Sequence, residues 1–131
     1  MISLEDAKLK MNAFLAKQEE QAIRLDSFKY LPDITIGNRE IKGNNKEKIK
    51  LIISHIEENE YGWRFYWSSN IYIETKNEDY GLIGNTPIII DKENGSVYGT
   101  RIDYPKNHME DFKDYKEGNE CEYDWNNLKK E

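Results

Sequence analysis

The chain has 131 residues, of which 37% are hydrophobic, 12% aromatic and 34% charged, and its net charge is −6. That length suits one domain built around one core, and the aromatic share excludes a disordered chain. The acidic balance excludes bulk attraction to nucleic acid or to an anionic membrane.

The imbalance is local. Eight acids between Asp103 and Asp124 meet only Lys106, Lys113 and Lys116. Cys121 is the single cysteine, so an intrachain disulfide is ruled out. The first twenty residues are amphipathic and carry acids early, unlike a signal peptide. No apolar run reaches membrane-spanning length, so the expected compartment is the reducing cytoplasm.

In chain order, Ser3 is positioned as a helix N-cap, with Asp6 three residues on in the place of a capping-box acid. Leu4, Ala7, Met11, Phe14 and Leu15 recur at helical spacing, which predicts a helix from about Ser3 to Gln21 with one stripe packed on a sheet. Residues 25–48 read as an insertion or loop region. Within it Ile34, Ile36 and Ile41 flank Gly37-Asn38, the pattern of a short hairpin.

Strand patterning follows. Residues Ile49–Ile56 alternate, a polar turn runs from Glu57 to Gly62, and Trp63, Phe65 and Trp67 then share one face opposite Arg64, Tyr66 and Ser68. Ile71-Tyr72-Ile73 is expected to prolong this second strand past a bulge at Ser68–Asn70. Pro87 opens the apolar run Ile88-Ile89-Ile90, Lys92–Gly95 is a turn in which Gly95 supplies a positive φ, and Val97-Tyr98 returns as a strand. Met109, Phe112 and Tyr115 mark a second helix that Asn107 caps and Gly118 stops. Residues 117–131 are read as an extra tail that forms either a short helix or a frayed end. The expected fold is a single α+β domain over residues 1–131. It has an antiparallel sheet of three to five strands, with the N-terminal and C-terminal helices packed on one face.

Motifs for bond-breaking chemistry are weak. His55 and His108 are the only histidines, and neither stands in a run of metal ligands. They read as a strand-face histidine and a solvated helix-end histidine. Cys121 lies among Glu120, Glu122 and Asp124, whose charge disfavours a thiolate. Asp91–Gly95 superficially resembles a calcium loop, but its glycine falls one position early and the distal glutamate is missing. No glycine-rich phosphate cradle or nucleophile elbow is present. Acid pairs arise by chance in a chain with 25 acids. The residues predict no catalysis, no metal and no cofactor.

The aromatic run Trp63, Phe65, Tyr66, Trp67, Tyr72 is the unusual feature. Trp63, Phe65 and Trp67 are assigned to the core. Tyr66 and Tyr72 are candidates for a contact face, because tyrosine is large, stiff and amphipathic.

The order of four segments is similar to the immunity protein 35, or YrhB-like, family: Gly62-Trp63-Arg64-Phe65-Tyr66-Trp67, Gly84-Asn85-Thr86-Pro87 leading into Ile88–Asp91-Lys92, Gly95-Ser96-Val97, and Gly99-Thr100. The similarity runs from about Gly62 to Tyr115, with the N-terminal helix matching in kind. It implies a small α+β fold that neutralises a toxin made by the same bacterium, without catalysis or cofactor. Residues 25–48, the interval Ile102–Pro105 and the tail depart from the family pattern.

The expected partner is therefore a cognate toxin domain, bound by protein–protein contact, with no nucleic acid or membrane involved and with a monomer or a dimer both open. An acidic antidote gains attraction for a basic toxin. The candidate contact residues are Glu110, Asp111, Asp114 and Glu117, with Tyr104, Tyr115 and Trp125 as anchors beside Tyr66 and Tyr72. The competing readings are a chaperone-like or housekeeping binder and, with little support, an enzyme.

Overall fold

The computed structural model describes residues 1–24, 34–41, 50–75, 86–101, 107–121 and 123–127. Helix α1 spans Leu4–Arg24. Its start is a reciprocal box: the Asp6 N–H donates to Ser3 Oγ at 3.1 Å, and the Ser3 N–H donates to Asp6 Oδ2 at 3.4 Å. Strands β1 (Ile34–Ile36) and β2 (Arg39–Ile41) form a two-stranded hairpin turned by Gly37 at φ +58°. The remainder of the 25–48 region lies outside the described residues.

The main sheet is antiparallel, in the order β3 (Leu51–Glu58), β4 (Gly62–Ser69), β5 (Ile88–Asp91), β6 (Val97–Tyr98). With α3 (His108–Lys116) near the C-terminus, the α+β class and the two flanking helices are as expected. Tyr72 is placed differently. Pairing of β4 ends at Ser69, because Asn70 brackets Lys50, accepting from its N–H at 2.9 Å and donating to its carbonyl at 2.8 Å. The chain then turns into a short helix, α2 (Asn70–Thr75), so Tyr72 is helical and does not prolong the strand.

A bulge does occur, on the other strand. Ile53 pairs with Trp67 and His55 with Tyr66, so Ser54 is the extra residue. This one-residue slip brings Ile56 opposite Phe65, onto the face that Leu51 and Ile53 already occupy, and leaves His55 on the other face.

The two long helices cover opposite faces, a correction to the expectation of one helical layer and one core. Ala7, Met11 and Leu15 of α1 pack with Leu51, Trp63, Phe65, Ile88, Ile90 and Val97. On the reverse face Ile89 and Tyr98 pack with Met109 and Phe112 of α3 and with Tyr123 and Trp125 of the tail. Side chains alternate along a strand, so each residue of Ile88-Ile89-Ile90 must meet a different layer in turn, and all are buried. An unbroken apolar run of this kind is what a strand covered on both sides requires.

The tail is not frayed over residues 123–127. It forms a single 3₁₀ turn at Trp125–Asn127, and Tyr123 and Trp125 are among the most deeply buried side chains of the protein.

Candidate partner-binding surface

Helix α3 positions the acidic cluster. The Asn107 side chain accepts the Met109 N–H at 2.9 Å and so starts the helix. Gly118, at φ +80°, ends it: its N–H reaches the Tyr115 carbonyl at 3.2 Å, and that of Asn119 reaches Asp114 at 2.9 Å. This is the paired bonding of a Schellman cap. Both boundaries agree with the sequence reading.

Between the caps, helical geometry sorts the candidates. Glu110 and Glu117 are exposed and Asp114 is half-buried. Asp111, one residue from Glu110, faces inward and is 7% exposed; its Oδ2 accepts the Trp125 indole N–H at 3.1 Å. Trp125 itself has no exposure. Both residues are structural members of the second core, which removes them from any contact surface. Tyr115 is half-buried, its ring against Tyr98 and Phe112 and its hydroxyl donating to Asn126 Oδ1 at 2.9 Å.

The acids continue onto the neighbouring loop. Lys113 reaches Glu60 at 2.9 Å and Glu117 at 3.9 Å, and this pairing, with the Glu60 bond foremost, raises the Lys113 ammonium above its ordinary value. The Tyr61 hydroxyl donates to Glu117 at 3.3 Å; burial and the Glu117 charge push this phenol up. Glu60, Glu110, Glu117, Glu120 and Asp124 are exposed.

Tyr66 stands on the α3-side face of the sheet, half-buried, as the alternation predicted. The Arg64 guanidinium lies 5.1 Å from its ring centre and also binds Glu57, directly across the strand pair, while His55 stacks at 5.7 Å. Burial raises the Tyr66 phenol, and the Arg64 charge only partly offsets that. Tyr72 lies in α2, away from the acids in sequence and on another element. Tyr104 lies outside the described residues. Glu110, Asp114 and Tyr115 thus lie on α3 with Glu117 as its C-cap, while Tyr66 lies on β4 against Arg64 and His55.

The histidines differ from each other. His55 is exposed on its strand, as read. His108 is 8% exposed, the first residue of α3, with Tyr123 edge-on at 5.5 Å; it is a packed residue and not a solvated one. Burial, with Arg64 next, lowers its imidazole below the ordinary value. Burial raises the Cys121 thiol, and Asp111 adds to the shift, in the direction the surrounding acids imply. Among the described residues, no group of three or more His, Cys, Asp or Glu stands together as a metal site requires. No helix in them is long and apolar enough to cross a membrane.

The segments that carried the family resemblance have structural work here. The Asp91 carboxylate accepts the Glu93 N–H at 2.8 Å and binds Lys116. Lys92 binds Glu58 at 2.6 Å and lies 5.1 Å from the Trp63 ring centre. Thr86 Oγ1 donates to the Thr100 carbonyl at 2.9 Å, Thr100 Oγ1 to that of Pro87 at 2.7 Å, and the Trp67 indole to that of Thr86 at 2.9 Å. These bonds close the β5–β6 hairpin onto β4. These motif residues therefore build the platform.

No curated protein and no solved structure matches the chain. The family model for immunity protein 35 matches residues 5–111, a span that takes in α1, the whole four-stranded sheet and the start of α3. With most of its length and all of its main sheet inside that match, the chain belongs to the immunity protein 35 family.

Proposed function

We propose that this protein acts in the bacterial cytoplasm as the antidote to one cognate polymorphic toxin, which it neutralises by binding and not by catalysis. The observation that carries this reading is the family match over residues 5–111. The surface we assign to the toxin is the acidic side of α3 and its C-cap, with Glu110 and Glu117 exposed and Asp114 half-buried, extended by Glu60 and flanked by Tyr115, with Tyr66 on the sheet as a further contact. A basic toxin domain would be drawn to it over long range and held in register by the charges. Asp111 and Trp125 support that helix from inside and touch no partner.

The test is co-expression. The toxin encoded next to this gene, produced in a susceptible strain, should stop growth, and this protein should restore it; toxins paired with other antidotes should not be rescued. Purified chain that protects against no toxin but suppresses aggregation of unrelated clients would replace this reading with the chaperone-like one.

A further inference from the structure

Strand β3 is an edge of the main sheet: β4 pairs with one side of it, and among the described residues no strand pairs with the other. Which of its backbone groups face outward follows from its two ends. Lys50 faces β4, its N–H and carbonyl both held by Asn70, and beyond the far end the Asn59 N–H reaches the Gly62 carbonyl at 3.0 Å. Successive residues of a strand turn their backbone groups to alternate sides. Counting from Lys50, Leu51 and Ile53 face outward; counting back from Asn59, Glu58 and Ile56 do. The two series are out of step by one residue, and the bulge at Ser54 is where they join. Leu51 bears out the direction, since its N–H turns away from β4 to Glu19 Oε1 of α1 at 2.6 Å.

An edge strand offers its outward N–H and carbonyl groups to another strand. The outward set here, Leu51, Ile53, Ile56 and Glu58, is symmetric about the midpoint between Ser54 and His55. A copy of the strand turned about a two-fold axis at that midpoint therefore meets every outward residue with an outward residue. Ile53 then exchanges both backbone bonds with Ile56 of the second copy. Without the bulge the same register would set outward residues against inward ones. Bulges often blunt an edge, but one centred on the axis makes the edge match itself. The side chains fit this register too. On the α1 face Ile53 falls beside Ile56 of the second copy, which continues the apolar layer that both already flank. On the other face Ile52, a large apolar side chain that is 38% exposed, falls opposite Glu57 of the second copy. Exposed Lys50 lies diagonally across from the same carboxylate, so the basic start of each strand meets the acidic end of the other. We propose that β3 pairs antiparallel with β3 of a second copy of this chain, across a two-fold axis between Ser54 and His55, and that the protein is a dimer built on this continuous sheet.

Sedimentation equilibrium of the full chain should give a mass that climbs from 15.6 kDa toward twice that value as concentration rises to about 1 mM. By NMR, the Ile53 and Ile56 amides should be protected from hydrogen exchange in the dimer and should exchange about tenfold faster on dilution. Two substitutions at exposed Ile52 test the register. Ile52→Glu sets a carboxylate opposite Glu57 of the second copy, and Ile52→Lys sets an ammonium there. The first should weaken the dimer and the second tighten it, leaving their dissociation constants about tenfold or more apart, with far-UV ellipticity unchanged. A mass that stays at 15.6 kDa at about 1 mM overturns the proposal. So does a dimer whose Ile53 and Ile56 amides remain unprotected, or one that both Ile52 variants move in the same direction. Should either variant not fold, the mass of the wild-type chain and the exchange of its two amides decide.

Discussion

The Lys116 ammonium lies 2.9 Å from the carboxylate of Asp91, a side chain with no solvent exposure, and bridges from there to Glu93 at 2.9 Å. Burial alone would lower the lysine, but the bonds from the two carboxylates outweigh it and hold it well above its ordinary value. The pair fastens the last turn of α3 to the β5–β6 turn. Asp91 belongs to the family-matched region, whereas Lys116 lies five residues beyond its end at Asp111. The fold is thus completed by residues outside the matched segment.

Removing one partner of this pair strands a buried charge. Lys116→Met should lower unfolding free energy by about 3 kcal/mol, read from urea denaturation. The double variant Lys116→Met/Asp91→Asn should recover part of that loss, since no charge is then left unpaired. A single variant as stable as wild type would show that the bridge contributes nothing.

Two glycines should respond differently to alanine. A Cβ at Gly62 would stand 2.6 Å from the Ile90 carbonyl oxygen and 3.0 Å from the Phe112 ring, forcing β4, β5 and α3 apart. Gly62→Ala should cost about 2 kcal/mol. Gly118 has open space around it but a φ of +80°, so Gly118→Ala should cost about 1 kcal/mol through backbone strain alone. Thermal unfolding of the two variants ranks these costs.

Neighbouring acids on α3 should separate stability from binding. Asp111→Ala removes the acceptor of a buried indole N–H and should cost about 2 kcal/mol. Glu110→Lys with Glu117→Lys, both exposed, should lower the melting midpoint by no more than a few degrees, since substitutions on an exposed face usually stay within about 0.5 kcal/mol. The same pair should slow association with a basic toxin about tenfold at low ionic strength, an effect that added salt erases. Stopped-flow mixing with the cognate toxin measures it.

At alkaline pH Tyr98 should ionise late. Burial, reinforced by the neighbouring Tyr115, pushes the Tyr98 phenol up to about 12 from its ordinary 10.0. The unfolded chain therefore loses this proton first, so the contribution is complete below about pH 10 and is lost as pH rises toward 12. Tyrosinate absorbance should show a late component that Tyr98→Phe removes.

Much of the local structure was legible in the chain. Ser3 with Asp6, Asn107, Gly118 and the Gly95 turn were read at the positions they occupy, because caps and turns depend on a few adjacent residues and their own backbone. Tyr72 was misplaced because a β-branched and aromatic run also fits a helical turn once Asn70 has ended the pairing. The one signal left unused was Ile88-Ile89-Ile90, whose lack of alternation already implied a sheet covered on both faces.

By itself the sequence determined the two capped helices, the strands of the main sheet, the acidic balance and the family. Only the tertiary structure decided which acids face solvent and which histidine is buried. Glu110 and Asp111 have the same charge and adjacent positions, yet a helix turns each residue by about 100° from the last, so one reaches water and the other reaches Trp125. That outcome depends on where β4, β5 and the tail come to lie against α3. Contacts between residues far apart in sequence set those positions, and no local pattern records them.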